Sequence, residues 1–117
     1  MDKTTEDIIK GNKLIAGLFM IERLSDGKYF HINPELLLAN KRWFLPEELK
    51  YHSSWDWQIP VWSKVAALSQ KLAMTEELAT RHNKLCDKYE EAVFQNNPEK
   101  GQQLIVEFIK FYNNGKN

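Results

Sequence analysis

The chain has little of several things that define whole classes of protein. It holds one cysteine, Cys86, among 117 residues, which excludes an internal disulfide and fits a reducing compartment. Four prolines and five glycines are too few and too scattered for a collagenous, low-complexity or disordered chain. No apolar stretch approaches the roughly 20 residues of a membrane-spanning helix. The first residues, Met1 to Asp7, are polar and acidic and do not make a signal peptide. Charge of one sign is missing too: sixteen basic side chains balance sixteen acidic ones. No field is built for nucleic acid or an anionic membrane. What remains is 43% hydrophobic and 27% charged, one domain over residues 1–117, long enough to bury roughly two-thirds of its surface. The expected setting is the cytoplasm.

Hydrophobic spacing predicts the elements. A first helix starts near Thr4 or Thr5, with Glu6 and Asp7 complementing its dipole and Leu14–Leu18 and Ile15–Phe19 pairs facing inward. Gly11 weakens its middle by about 1 kcal/mol relative to Ala. Two runs, 20–24 and 28–32, flank Ser25-Asp26-Gly27 and predict a β-hairpin, which must either lie against helices or find a third strand, for which Lys41-Arg42-Trp43-Phe44 is the candidate. Asn33-Pro34-Glu35 opens a short helix, and Leu45-Pro46-Glu47-Glu48-Leu49 a single turn. Three longer helices follow over 54–72, 76–94 and 98–112, with Ser53 or Ser54, Thr75 and Asn97-Pro98 at their starts. Pro60 sits too deep for a first-turn proline, so the helix kinks there or begins after Trp57. Trp62 and Phe108, mid-stripe, are expected in the core. The predicted class is α+β and predominantly α, a bundle of about four helices with a small β-hairpin.

Chemistry-bearing residues are densest in Tyr51-His52-Ser53-Ser54-Trp55-Asp56-Trp57-Gln58 and on to Trp62. As a binding wall, its indoles stack on bases, sugars or cations, and His52, Ser53, Asp56 and Gln58 supply donors and acceptors at a helix start. As a plug, Trp55 and Trp57 close the bundle end, Ser54 caps and Asp56 complements the dipole. Aromatic clusters more often pack cores, so the plug is favoured. The candidate site is therefore His52, Trp55, Asp56 and Trp57.

Other constellations are thinner. His82 and Cys86 lie i,i+4 on one helix, but no second paired motif completes a zinc set. No orienting group is evident for a Cys86–His82 nucleophile either. Glu76-Glu77 and Glu90-Glu91 read as dipole-complementing or solvated carboxylates, and the glycines build no phosphate loop. Lys41-Arg42-Trp43-Phe44 pairs two cations with two aromatics, but four residues in a neutral chain do not make a nucleic-acid surface. No catalytic residue, metal or cofactor is assigned, and whether the chain is an enzyme stays open, leaning to no.

The segment His52-Ser53-Ser54-Trp55-Asp56-Trp57-Gln58-Ile59-Pro60-Val61 resembles the "YHxSWDWLMPVVEKIE" signature of a family of small phage- and prophage-associated proteins of gut bacteria. Gly11-Asn12-Lys13-Leu14-Ile15-Ala16 and Val106-Glu107-Phe108-Ile109-Lys110-Phe111-Tyr112-Asn113 resemble that family's N-terminal "GNKLIAEFMG" and C-terminal "VVEFIKWYNENK". Gln58-Ile59 stands where the family has Leu-Met. The resemblance implies a shared fold and a mobile-element origin, and carries no activity with it. Two functional readings follow. The first is a non-enzymatic intracellular interaction protein with a protein partner, open to homo-oligomerisation. The alternative is a binder of a small, nucleotide-like ligand at 52–62.

Overall fold

The computed structural model describes residues 3–19, 21–23, 28–30 and 43–115. Four helices carry it: α1 (Lys3–Phe19), α2 (Trp55–Leu72), α3 (Glu76–Phe94) and α4 (Pro98–Gly115). Helix α4 packs against each of the other three, and α2 also packs on α3. The core runs from Ile15 and Ala16 of α1 through Trp57, Val61 and Val65 of α2 to Leu104, Ile105, Phe108 and Ile109 of α4. Leu49 and Tyr51 close it from the connection before α2.

The predicted α+β class is overturned, because the molecule is a nearly all-helical four-helix globule. Among the described residues, backbone pairing joins only short fragments of three, three and two residues: β1 (Ile21–Arg23), β2 (Lys28–Phe30) and β3 (Trp43–Phe44). Of the described strand residues, Phe44 joins the core. Amphipathic helices of 17 to 19 residues supply most of it. The short helix expected after Asn33, and the Ser25–Gly27 and Lys41–Arg42 segments, lie outside the described residues.

The helix ends show why the long elements fall where they do. Thr75 Oγ1 accepts from the Leu78 N–H at 3.2 Å and starts α3. Asn97 Oδ1 accepts from the Lys100 N–H at 3.1 Å, with Pro98 at the first position of α4. Between them, α3 ends in a Schellman motif. The Asn97 N–H bonds Ala92 O and the Asn96 N–H bonds Val93 O, both at 2.9 Å, with Asn96 at φ 54°. Ser54 is the N-cap of α2, but its side chain makes no capping bond. Pro60 lies inside α2, which runs on from Trp55. It forfeits a single bond, to the Asp56 carbonyl near the helix start.

Two glycines are required by close approach. A Cβ on Gly11 would overlap Gln102 Nε2 and sit 3.0 Å from Val106 Cγ2. A Cβ on Gly101 would overlap Gln58 Oε1 and sit 3.1 Å from Tyr89 Cε2. In each case a buried glutamine of one helix crosses a glycine of the next. The expected weakening of α1 at Gly11 thus has a counterpart in packing. Among the described residues, no helix is long and apolar enough to cross a membrane.

Candidate functional site

The tryptophan-rich segment spends most of its chemistry inside the molecule. Trp57 is 5% exposed and meets Phe44 and Tyr51 edge-on, at 5.0 and 5.6 Å between ring centres. Gln58, read from sequence as a donor for a ligand, is fully buried. Its Nε2 donates to Tyr51 O at 2.6 Å and Pro98 O at 2.7 Å, and its Oε1 accepts from the Tyr89 hydroxyl at 2.6 Å. Every hydrogen-bonding atom of that amide has a partner. Burial holds the Tyr89 and Tyr51 hydroxyls protonated, raising both above the usual phenol range.

Trp55 is half-buried where α2 begins beside the end of α3. Its Nε1–H donates to Asn96 Oδ1 at 2.8 Å, so the left-handed residue that ends α3 also holds the indole. The Trp55 ring stands edge-on to Tyr89 at 6.3 Å, while Trp62 stacks on Tyr89 at 3.9 Å and 10°. Trp62 is therefore a partly buried flank of the core rather than one of its buried members, whereas Phe108 is buried as expected. Asp56 lies exposed in the first turn of α2.

His52 faces the other way, toward α1. Asn12 Nδ2 donates to Leu49 O at 3.1 Å and lies 2.9 Å from His52 Nδ1. Asn12 Oδ1 accepts from Gln102 Nε2 at 3.2 Å. Because the amide orientation is set by Leu49 O and Gln102, His52 Nδ1 must be the acceptor, so the ring is neutral with its proton on Nε2. Burial lowers the His52 pKa below its usual 6.5, and the nearby Glu99 partly offsets this.

The sign of the resulting pH effect follows. A folded pKa below the unfolded value means the unfolded chain takes up the proton first as pH falls. The His52 contribution is thus complete above about 6.5 and declines below it, down to the folded pKa. Melting temperatures measured between pH 7.5 and 5.5 should fall more steeply for the parent than for His52→Gln. Parallel profiles would show that His52 is not protonated at the expense of the fold.

The four candidate residues do not converge. Trp57 is core, Trp55 joins α2 to α3, Asp56 points outward and His52 belongs to the α1 network. Two open grooves lie elsewhere. One of about 920 Å³ runs between α1 and α4, past Lys10, Leu14 and Lys110. The other, about 340 Å³, runs between α3 and α4 over Leu85 and Phe108. Neither is lined by residues 52–62.

The sequence leaves His82 without an orienting group, and the fold supplies one: Ser69 Oγ of α2 lies 2.9 Å from His82 Nδ1. Cys86 Sγ lies 3.7 Å from His82 Nε2. The row resembles a nucleophile, base and orienter in order only. Burial and the Asp87 and Glu90 carboxylates push the Cys86 thiol up, which opposes thiolate formation. Among the described residues, no three His, Cys, Asp or Glu side chains converge to hold a metal ion.

The surface carries what the motif search missed. Phe94, the last residue of α3, is 93% exposed, and Val93 beside it and Ile59 of α2 are 45% and 46% exposed. An apolar residue at the end of a polar helix stretch, Glu90-Glu91-Ala92-Val93-Phe94, is the only sequence signal for it. Compared with protein-family models, with curated proteins and with solved structures, the chain matches none.

Proposed function

We propose that this protein is a non-enzymatic interaction protein of the cytoplasm that binds another protein through its surface. The observation that carries the proposal is Phe94, almost wholly presented to water at the α2–α3 end of the molecule. Val93 and Ile59 stand half-exposed at that same end, which the Trp55–Asn96 bond holds together. Single exposed apolar residues are ordinary, but a full phenyl ring this exposed, next in sequence to the exposed Val93, has the composition of a contact centre. The inward use of Trp57, Gln58 and His52 supports this reading over a small-ligand pocket at 52–62. The raised Cys86 thiol supports a non-enzymatic reading. The phage or mobile-element setting rests on the motif resemblance alone.

A photo-crosslinking amino acid at position 94, in cells that make the full chain, tests the proposal. One discrete protein adduct is expected, and it should disappear when Ile59→Asp is added, while the melting temperature stays within about 2 °C of the parent. A diffuse smear, or an adduct indifferent to Ile59→Asp, overturns the proposal. So does a nucleotide or sugar that raises the melting temperature of the parent but not of Trp55→Ala, which would establish the pocket instead.

A further inference from the structure

The α3–α4 groove has a different character from the Phe94 end. Its floor is apolar: Leu104 and Phe108 are buried, and Leu85 and Phe111 are half-buried. Its α3 rim carries Arg81, Lys84 and Lys88, spaced i, i+3 and i+7, which places them along one side of the helix. Among the described residues, none of these three cations is in an ion pair. Arg81 instead lies over the Phe111 ring, 4.2 Å from its centre. Acidic groups line the groove as well, Glu77 one turn before Arg81 on the same α3 rim and Glu107 on the opposite α4 rim.

We infer that this groove receives an acidic amphipathic helical segment of a partner protein. This rests on the interaction reading above and names the chemistry of a partner for it. A row of cations without ion pairs among the described residues, beside an apolar floor, complements a helix with carboxylates on one flank and leucine- or phenylalanine-like side chains at i, i+3, i+4 and i+7. From Arg81 to Lys88 the rim rises about 10 Å, close to two helical turns, so three or four partner side chains set the contact. Glu107 on the far rim gives the groove a polarity. A partner carrying acid on both flanks would meet it unfavourably, so carboxylates on the α3 side alone are selected. Nucleic acid is a poor fit, because the net charge of the chain is zero and Glu77 and Glu107 also line the groove.

The test uses the full chain and three probes. The first is a fluorescein-labelled peptide of about four helical turns with leucines on one face and glutamates on one flank. The second is the same peptide with lysine for glutamate, and the third is decanoate, an anionic amphiphile without a helix. The glutamate peptide is expected to saturate in the micromolar range, with backbone amide shifts confined to α3 and α4. Added salt should weaken it, and Lys84→Glu with Lys88→Glu should weaken it at least about tenfold. Both lysines are exposed, so the melting temperature of the double variant should match the parent. Three results overturn the inference: equal binding of the lysine peptide, an affinity indifferent to the double variant, or decanoate displacing the peptide at lower concentration than unlabelled peptide does. Phe94→Asp should leave peptide binding intact, since Phe94 does not line the groove. Failure of the peptide with an intact position-94 crosslink sinks the groove assignment alone, and failure of the crosslink with peptide binding retained sinks only the Phe94 reading.

Discussion

Gln58→Leu is expected to cost about 3–5 kcal/mol, although it exchanges a polar side chain for an apolar one of similar size inside a core. Gln58 is fully buried and serves three partners. Removing the amide takes the acceptor from the Tyr89 hydroxyl and a donor from both Tyr51 O and Pro98 O. The leucine methyls gain nothing in return, because the site was already apolar around a satisfied polar centre. Gln58→Glu should be worse, since an ionised carboxylate would face two carbonyl oxygens. Gly101→Ala should also destabilise strongly, because the added methyl would overlap Gln58 Oε1. The diagnostic is the combination. Gln58→Ala opens the space the methyl needs, so Gln58→Ala with Gly101→Ala should cost less than the two single changes added together. Denaturant midpoints of the parent, Gln58→Ala, Gly101→Ala and the double variant close the cycle. Strict additivity would show that the amide does not rest on the glycine.

Trp57→Ala is expected to lose about 3–5 kcal/mol, enough to leave a domain of this size marginal or unfolded at 37 °C. The indole is 5% exposed and braced edge-on by Phe44 and Tyr51, so its removal leaves a cavity that fixed rings cannot collapse into. Trp55→Ala should cost less, about 1–2 kcal/mol, because that ring is half-buried and gives up one bond to Asn96. Urea unfolding of the two variants distinguishes plug from wall. Equal, small losses would mean that both indoles are surface residues.

The elements that announced themselves in the sequence were those with local signals. Thr75 before Glu76-Glu77, and Asn97-Pro98 before an apolar stripe, each place a helix start within a few residues, because the cap and the group it satisfies are neighbours in the chain. The fold class failed for the converse reason. Alternation in short runs says that strands can pair, not how much of the core they carry, and tertiary packing of four long helices decided the class. Gln58 shows the same limit at the site. Nothing local distinguishes a glutamine that reaches Tyr51 O, Pro98 O and Tyr89 from one that awaits a ligand. Two of those three partners lie 31 and 40 positions away. Gly11 read as a weak point in a helix, and its reason is Gln102, on a different helix. Ser69 likewise meets His82 only because α2 and α3 pack together.

The buried glutamines also settle a question that apolar stripes leave open. A helix that presents only leucine-like side chains to its neighbour can slip by one turn and lose little, since one hydrophobic ridge resembles the next. Gln58 and Gln102 do not allow it. A slip of α2 along α4 by about 5.4 Å would drag the Gln58 amide off Pro98 O and drive its side chain from the flat of Gly101 into a neighbour bearing a Cβ. The same displacement of α4 along α1 would strand Gln102 from Asn12 and from the hollow at Gly11. Each amide and its glycine act as a peg and its hole, and the two pairs in series, α2 to α4 and α4 to α1, leave this bundle a single alignment.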